Sequence, residues 1–133
     1  MPTTGHCLCG DIAYAFEGKP KWVAHCHCES CRRHTSSALA TFLCVDALAF
    51  RYTHGTPAKY PSSAGATRSF CPRCGSPVCF EGQKWPGEIH LYIGTLSEPA
   101  AFAPTAHVNT VEQLPWFHVN DALKHYAGMG KSG

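Results

Sequence analysis

Seven of the nine cysteines in this 133-residue chain fall into three tight groups: Cys7/Cys9, Cys26/Cys28/Cys31 and Cys71/Cys74. Cysteines this close rarely bridge to one another, but they converge readily on one metal ion. The odd total would also leave a thiol over in a disulfide framework. The groups therefore read as thiolate ligands, with zinc the expected metal and a reducing compartment the expected setting.

Cys71-Pro72-Arg73-Cys74-Gly75 has the form of a zinc knuckle. Its turn points backbone N–H groups at the sulfurs, and Gly75 supplies a positive φ where the chain reverses. A knuckle provides two ligands, and a closed structural site takes four. Cys7-Leu8-Cys9 can supply the other two, because alternation along an extended chain turns both sulfurs to one side, away from His6 and Leu8.

The remaining group lies in His25-Cys26-His27-Cys28-Glu29-Ser30-Cys31-Arg32-Arg33. Alternation sets Cys26 and Cys28 opposite His25 and His27, and Cys31 closes back at C-x-x-C spacing. Spacing selects no fourth ligand among His6, His25, His27, His34, Cys44 and Cys79, and it equally permits Cys7/Cys9 to group with Cys28/Cys31. Four sulfurs plus three would give one closed site and one open site, and an open position is what a catalytic zinc requires. Three thiolates leave such a site at a net charge of −1, so a bound water is acidified less than at a neutral-ligand site. That argues against a simple hydrolase and for the capture of an incoming thiol. Arg32 and Arg33, next along the chain, are candidates to offset the charge or to bind a substrate carboxylate.

The rest of the chain is cut into short pieces by 12 Gly and 10 Pro. Ile12, Tyr14 and Phe16 alternate as one face of a strand, and further strands are expected over 22–28, 40–45, 48–53, 67–70, 78–80 and 88–93. Turns are expected at 18–20, 54–57, 62–65 and 85–87. Helix is expected at 29–34 and 120–125 alone. Cys44 and Cys79 sit in apolar segments and read as buried thiols; Trp116 reads as a core aromatic, with a place in a pocket wall as the alternative. The expectation is one mainly β domain over 1–133, with a core over about 5–125, a tail over 127–133 and Lys131-Ser132-Gly133 frayed. Metal staples suit it, since zinc adds folding free energy that a modest core lacks.

The formal net charge is +2. Two zinc ions and seven thiolates would take it to −1, and there is no basic run, so a nucleic-acid partner is not expected. No apolar run reaches the ~18 residues that would span a bilayer, and the N-terminus shows no secretory pattern, so the cytoplasm is the expected location.

Several motifs occur in a fixed order. Gly5-x-Cys7-x-Cys9-Gly10-x-Ile12-x-Tyr14 precedes His25-Cys26-His27-Cys28-x-x-Cys31-Arg32-Arg33. Phe70-Cys71-x-x-Cys74-Gly75-Ser76, Gly94-Thr95-Leu96, His107-Val108, Pro115-Trp116 and Asp121 follow. The ordered set closely resembles the glutathione-dependent formaldehyde-activating enzyme family over nearly the whole chain. The resemblance implies a β-tent fold of packed antiparallel sheets. It also implies two zinc ions, a structural one on Cys7, Cys9, Cys71 and Cys74 and a catalytic one on Cys26, Cys28 and Cys31. The implied chemistry is that of a carbon–sulfur lyase, joining glutathione or a similar thiol to a small aldehyde such as formaldehyde. A non-catalytic zinc-binding interaction module and a thiol-responsive zinc protein are the alternatives.

Overall fold

In the computed structural model, which describes residues 1–129, short strands dominate. A three-stranded antiparallel sheet runs in the order β1 (Thr3–His6), β2 (Ala13–Phe16), β5 (Phe50–His54). The larger sheet has eight strands. In chain order these are β3 (Trp22–Cys26), β4 (Ala40–Asp46), β6 (Ala58–Ser63), β7 (Ala66–Phe70), β8 (Pro77–Gly82), β9 (Glu88–Tyr92), β10 (Ala106–Val108) and β11 (Lys124–His125). Across the sheet the order is β11-β10-β3-β4-β9-β8-β7-β6. One α-helix, α1 (Glu29–Thr35), follows β3, with Cys28 as its N-cap and Ser36 closing it in the left-handed region.

Alternation explains where the core sits. β4 is central, with β3 on one side and β9 on the other, and it is buried on both faces. Its odd-numbered residues Leu43 and Val45 join Ile12, Tyr14, Phe16, Val23, Val78 and Leu91 between the two sheets. Its even-numbered Ala40 and Phe42 join Ala24, Cys26, Cys31, Tyr92 and Val108 on the opposite face. Two cores on the two faces of one sheet are thus written into a single seven-residue strand.

The expected mainly β class is the one found, with three differences of detail. The two pairings at one edge are parallel, since β10 runs alongside β3 and β11 alongside β10, whereas packed antiparallel sheets were expected. Residues 120–125 hold no helix, and Lys124–His125 form the edge strand instead. The next residue, Tyr126, donates its backbone N–H to the His107 carbonyl at 2.8 Å. Trp116 is 67% exposed rather than core. At the C-terminus the carbonyls of Ala127 and Gly128 accept from Val111 N and Asn109 N, which holds that segment beside β10. Lys131, Ser132 and Gly133 lie outside the described residues. No helix among the described residues is long and apolar enough to cross a membrane.

Candidate metal centres and the cavity beside them

The β1–β2 loop and the β7–β8 turn bring Cys7, Cys9, Cys71 and Cys74 together, one sulfur from each lying within 4.8 Å of the others. Gly10 and Gly75 follow the two cysteine pairs at φ of +84° and +80°, so each pair is closed by a turn that a side-chain-bearing residue would strain. Cys9 lies 3.7 Å from both Cys7 and Cys71. Sulfurs tetrahedrally disposed about an ion at ~2.3 Å would stand about 3.7 Å apart, so the group fits such an ion. The backbone N–H of Ile12 donates to Cys7 at 3.2 Å, and those of Arg73 and Cys74 donate to Cys71 at 3.4 Å. The Ile12 N–H favours thiolate over thiol at Cys7. The Ser76 hydroxyl holds Cys74 down to about 5. Arg73 and Asp11 pair at 3.2 Å across the two loops.

The second group is built on the exit of β3 and the first turn of α1. Cys26 stands 3.6 Å and Cys28 2.8 Å from Cys31. The N–H of Cys31 donates to Cys28 at 3.3 Å, and the Asn109 amide donates to Cys26 at 3.3 Å. Hydrogen bonds from Cys26 and Cys31 press Cys28 down to about 2, and the same closeness drives Cys31 far upward. Three sulfurs so close cannot all be thiolates without a cation among them, and that donor set suits a soft or borderline metal ion. Both cysteine groups can hold a metal ion.

The other candidate ligands go elsewhere. His25 bonds Thr41 at 2.8 Å, His27 bonds His107 at 2.8 Å, and His34 bonds the Tyr92 hydroxyl at 2.7 Å. Cys44 and Cys79 are fully buried, the first beside Glu88 and His90 and the second against Tyr52 at 3.4 Å. Among the described residues none of these joins the triad, and Cys7/Cys9 pair with the knuckle rather than with Cys28/Cys31.

The cation beside the triad is one that spacing does not reveal. Arg68, on β7, is 37 residues from Cys31 and only 5% exposed. Both terminal nitrogens lie 3.7 Å from the Cys31 sulfur, one also donating to Tyr92 and the other to Ser30 at 2.7 Å. Its guanidinium lies over Phe80 at 4.9 Å. Because Arg68 donates to Tyr92, the Tyr92 proton goes to His34 Nδ1. Burial keeps that phenol protonated and, helped by Arg68, keeps His34 neutral, which is consistent with this direction. The signal in the sequence is an arginine inside a strand, Thr67-Arg68-Ser69-Phe70, and an arginine with no partner in view is ordinarily a surface residue.

The sulfurs line a cavity of about 80 Å³, whose other walls include Phe42, Phe80, Trp85, Arg68 and Asn109. Arg32 and Arg33 do not line it. Arg32 donates to the His27 carbonyl at 3.3 Å, and Arg33 pairs with Glu29 at 2.7 Å on the exposed side of α1. Both face an open groove with Ser36, Ser37 and Trp116. A neighbouring groove joins Arg33, His34 and Tyr60 to Arg68 and so abuts the cavity.

Comparison with known proteins identifies the fold and the family. A crystal structure of a Rhodobacter sphaeroides protein has the same fold, with a TM-score of 0.61 over 71% of this chain and 87% of that one, at 22% identity. An uncharacterized lyase of Schizosaccharomyces pombe is 38% identical over 77 residues, 57% of this chain and 55% of that protein. The chain thus spans about half the length of that relative. The family model described as glutathione-dependent formaldehyde-activating enzyme matches residues 2–112, which include all seven clustered cysteines and Arg68. The chain belongs to the glutathione-dependent formaldehyde-activating enzyme family.

Proposed function

We propose that this protein is a zinc-dependent carbon–sulfur lyase acting on the adduct of glutathione, or a similar thiol, with a small aldehyde. One observation carries the reading: a three-sulfur group forms part of the wall of a cavity too small for a peptide but sufficient for a one- or two-carbon aldehyde. Cys26, Cys28 and Cys31 would hold one zinc ion, and Cys7, Cys9, Cys71 and Cys74 a second, structural one. The ion at the triad, when bound, supplies a Lewis-acidic position for a thiolate sulfur or a carbonyl oxygen.

The reaction needs no co-reactant. Toward the adduct, the thiol sulfur bonds to the carbonyl carbon, the C=O π pair moves to oxygen, and the proton released by the thiol ends on that oxygen. Toward the free species, the C–S bond breaks and the proton returns to sulfur. Arg68 is the residue best placed for the charge involved. It is fixed by Tyr92 and Ser30, stands against the sulfurs, and faces both the cavity and the adjoining groove. The aromatic walls would disfavour hydration of the carbonyl. The carboxylates of a glutathione-sized thiol would lie outside the cavity, where Arg33 and Arg32 line the grooves. A single domain suits this compact site, and the cytoplasm, where glutathione is plentiful, suits the substrate.

Native mass spectrometry of the reduced protein across a glutathione titration, paired with formaldehyde exchange followed by NMR, tests the reading. The expected result is two zinc ions retained, saturable glutathione binding and exchange above the spontaneous rate. Two retained ions without a glutathione complex would refute glutathione as the thiol. Loss of one ion as glutathione rises would refute the enzyme in favour of a thiol-responsive zinc protein. A single ion from the start would refute the assignment of two sites.

A further inference from the structure

The face of β3 opposite Cys26 carries a different set of ligands. The parallel register sets His25 beside His107 of β10 and His107 beside His125 of β11. Asp121, which leads into β11, reaches back to the middle histidine, its Oδ2 lying 2.7 Å from His107 Nε2. His25, His107 and Asp121 each bring one ligand atom within 4.8 Å of the others. Two imidazoles and a carboxylate are a recurring set for zinc and ferrous iron, one that leaves positions free for solvent.

A buried histidine satisfied by an aspartate needs nothing more, and that is the simpler account of His107 and Asp121. The partners around the three go further. His25 is bonded at Nδ1 by Thr41 Oγ1 at 2.8 Å, which leaves its Nε2 as the ligand atom. His107 is bonded at Nδ1 by His27 Nε2 at 2.8 Å, which leaves its Nε2 on the Asp121 side. Asp121 accepts the Leu123 N–H on Oδ1 at 3.1 Å, which turns Oδ2 inward onto His107. Each of the three is therefore held through the atom that does not face the other two. Outer partners of this kind orient the ligands of metal sites. The rings of His25 and His107 lie 4.7 Å apart at an angle of 32°, a spacing that lets both nitrogens address one ion. His107 is fully buried, while Asp121 is exposed, so an ion would have an entry path.

We infer that His25, His107 and Asp121 form a divalent transition-metal site, separate from both cysteine groups and on the opposite face of the same strand. Its structural effect is to pin the segment from Asp121 onward to β3. That segment continues to Met129, which lines the cavity and whose sulfur accepts from Asn109 Nδ2 at 3.3 Å. Asn109 donates to Cys26 as well, so an ion on the histidine face steadies one wall of the cysteine cavity.

The test is a zinc titration of protein whose cysteine sites are already saturated, read by native mass spectrometry and by ¹⁵N shifts of the imidazoles. The expected result is one further saturable equivalent, with the nitrogen shifts of His25 and His107 moving together. Asp121→Asn and His25→Gln should abolish this equivalent and leave the earlier ones intact. Thr41→Val, which removes no ligand, should weaken it about 10- to 100-fold. No further equivalent in the unmodified chain overturns the inference. So does one that survives both Asp121→Asn and His25→Gln, as it would if it were bound by Cys44, Glu88 and His90.

Discussion

Arg68→Met separates the two cysteine groups most cleanly. Methionine keeps an apolar stem against Phe80 and removes the charge, and Tyr92 keeps His34 as a partner, so the loss falls on the sulfurs and Ser30. Three thiolates and a divalent ion carry a net charge of −1, and the guanidinium nitrogens stand 3.7 Å from one of those sulfurs. At an effective dielectric near 20 that attraction is about 4 kcal/mol. Arg68 also attracts the Cys28 thiolate of the metal-free triad, so part of that attraction cancels on metal binding and roughly 2–3 kcal/mol is left. Metal affinity at the triad should therefore fall roughly 30- to 150-fold. Chelator competition, with ions counted per chain, measures both sites in one experiment, and the four-cysteine group serves as the internal reference. Equal weakening of the two groups would mean that Arg68 acts through general stability. An unchanged triad would refute its role as a counter-charge.

Cys74→Ala should cost at least 3 kcal/mol in urea unfolding of metal-loaded protein, because a four-ligand site that links the β1–β2 loop to the β7–β8 turn loses its closure; the cost should vanish once chelator has stripped both proteins. Leu43→Ala removes a fully buried side chain between the sheets and should cost about 2–5 kcal/mol, seen as a lower urea midpoint at unchanged m-value. His90 is 4% exposed, and burial holds its pKa below 6.5. The unfolded chain then takes up a proton that the folded one refuses, so this contribution is complete above about pH 6.5 and is lost as pH falls through that value toward the folded pKa. Urea midpoints from pH 7.5 to 5.5 should fall less steeply for His90→Gln than for the unmodified chain, and equal slopes would assign the acid sensitivity to other groups.

What the sequence makes legible follows from locality. Cys26, Cys28 and Cys31 span six residues, so strand alternation and one helical turn suffice to predict their convergence. Ile12, Tyr14 and Phe16 are equally readable, because a period of two is a local signal, and all three are buried. The pairing of Cys7/Cys9 with Cys71/Cys74 spans more than 60 residues, and it came from the order of motifs rather than from spacing. Arg68 was illegible for the same reason: its partners Ser30 and Cys31 lie on a helix 37 or more residues away. The helix expected at 120–125 failed because the long-range register of Lys124 and His125 with β10 overrides a weak local preference. Trp116 failed because an aromatic beside a proline says nothing of which side faces water.

The alternation within β3 has a last consequence. Thiol and imidazole follow one another along a single strand, and only the pleat keeps them apart. A slip of one residue against β4 would turn His25 toward the cavity and Cys26 toward Asp121 and His107, swapping soft and borderline donors between the two faces of the sheet. The five pairs with β4 and three with β10 that prevent this therefore act as a chemical sorter as well as a scaffold. A single-residue deletion near Val23 should be felt first in which metals the protein takes up and only afterwards in whether it folds.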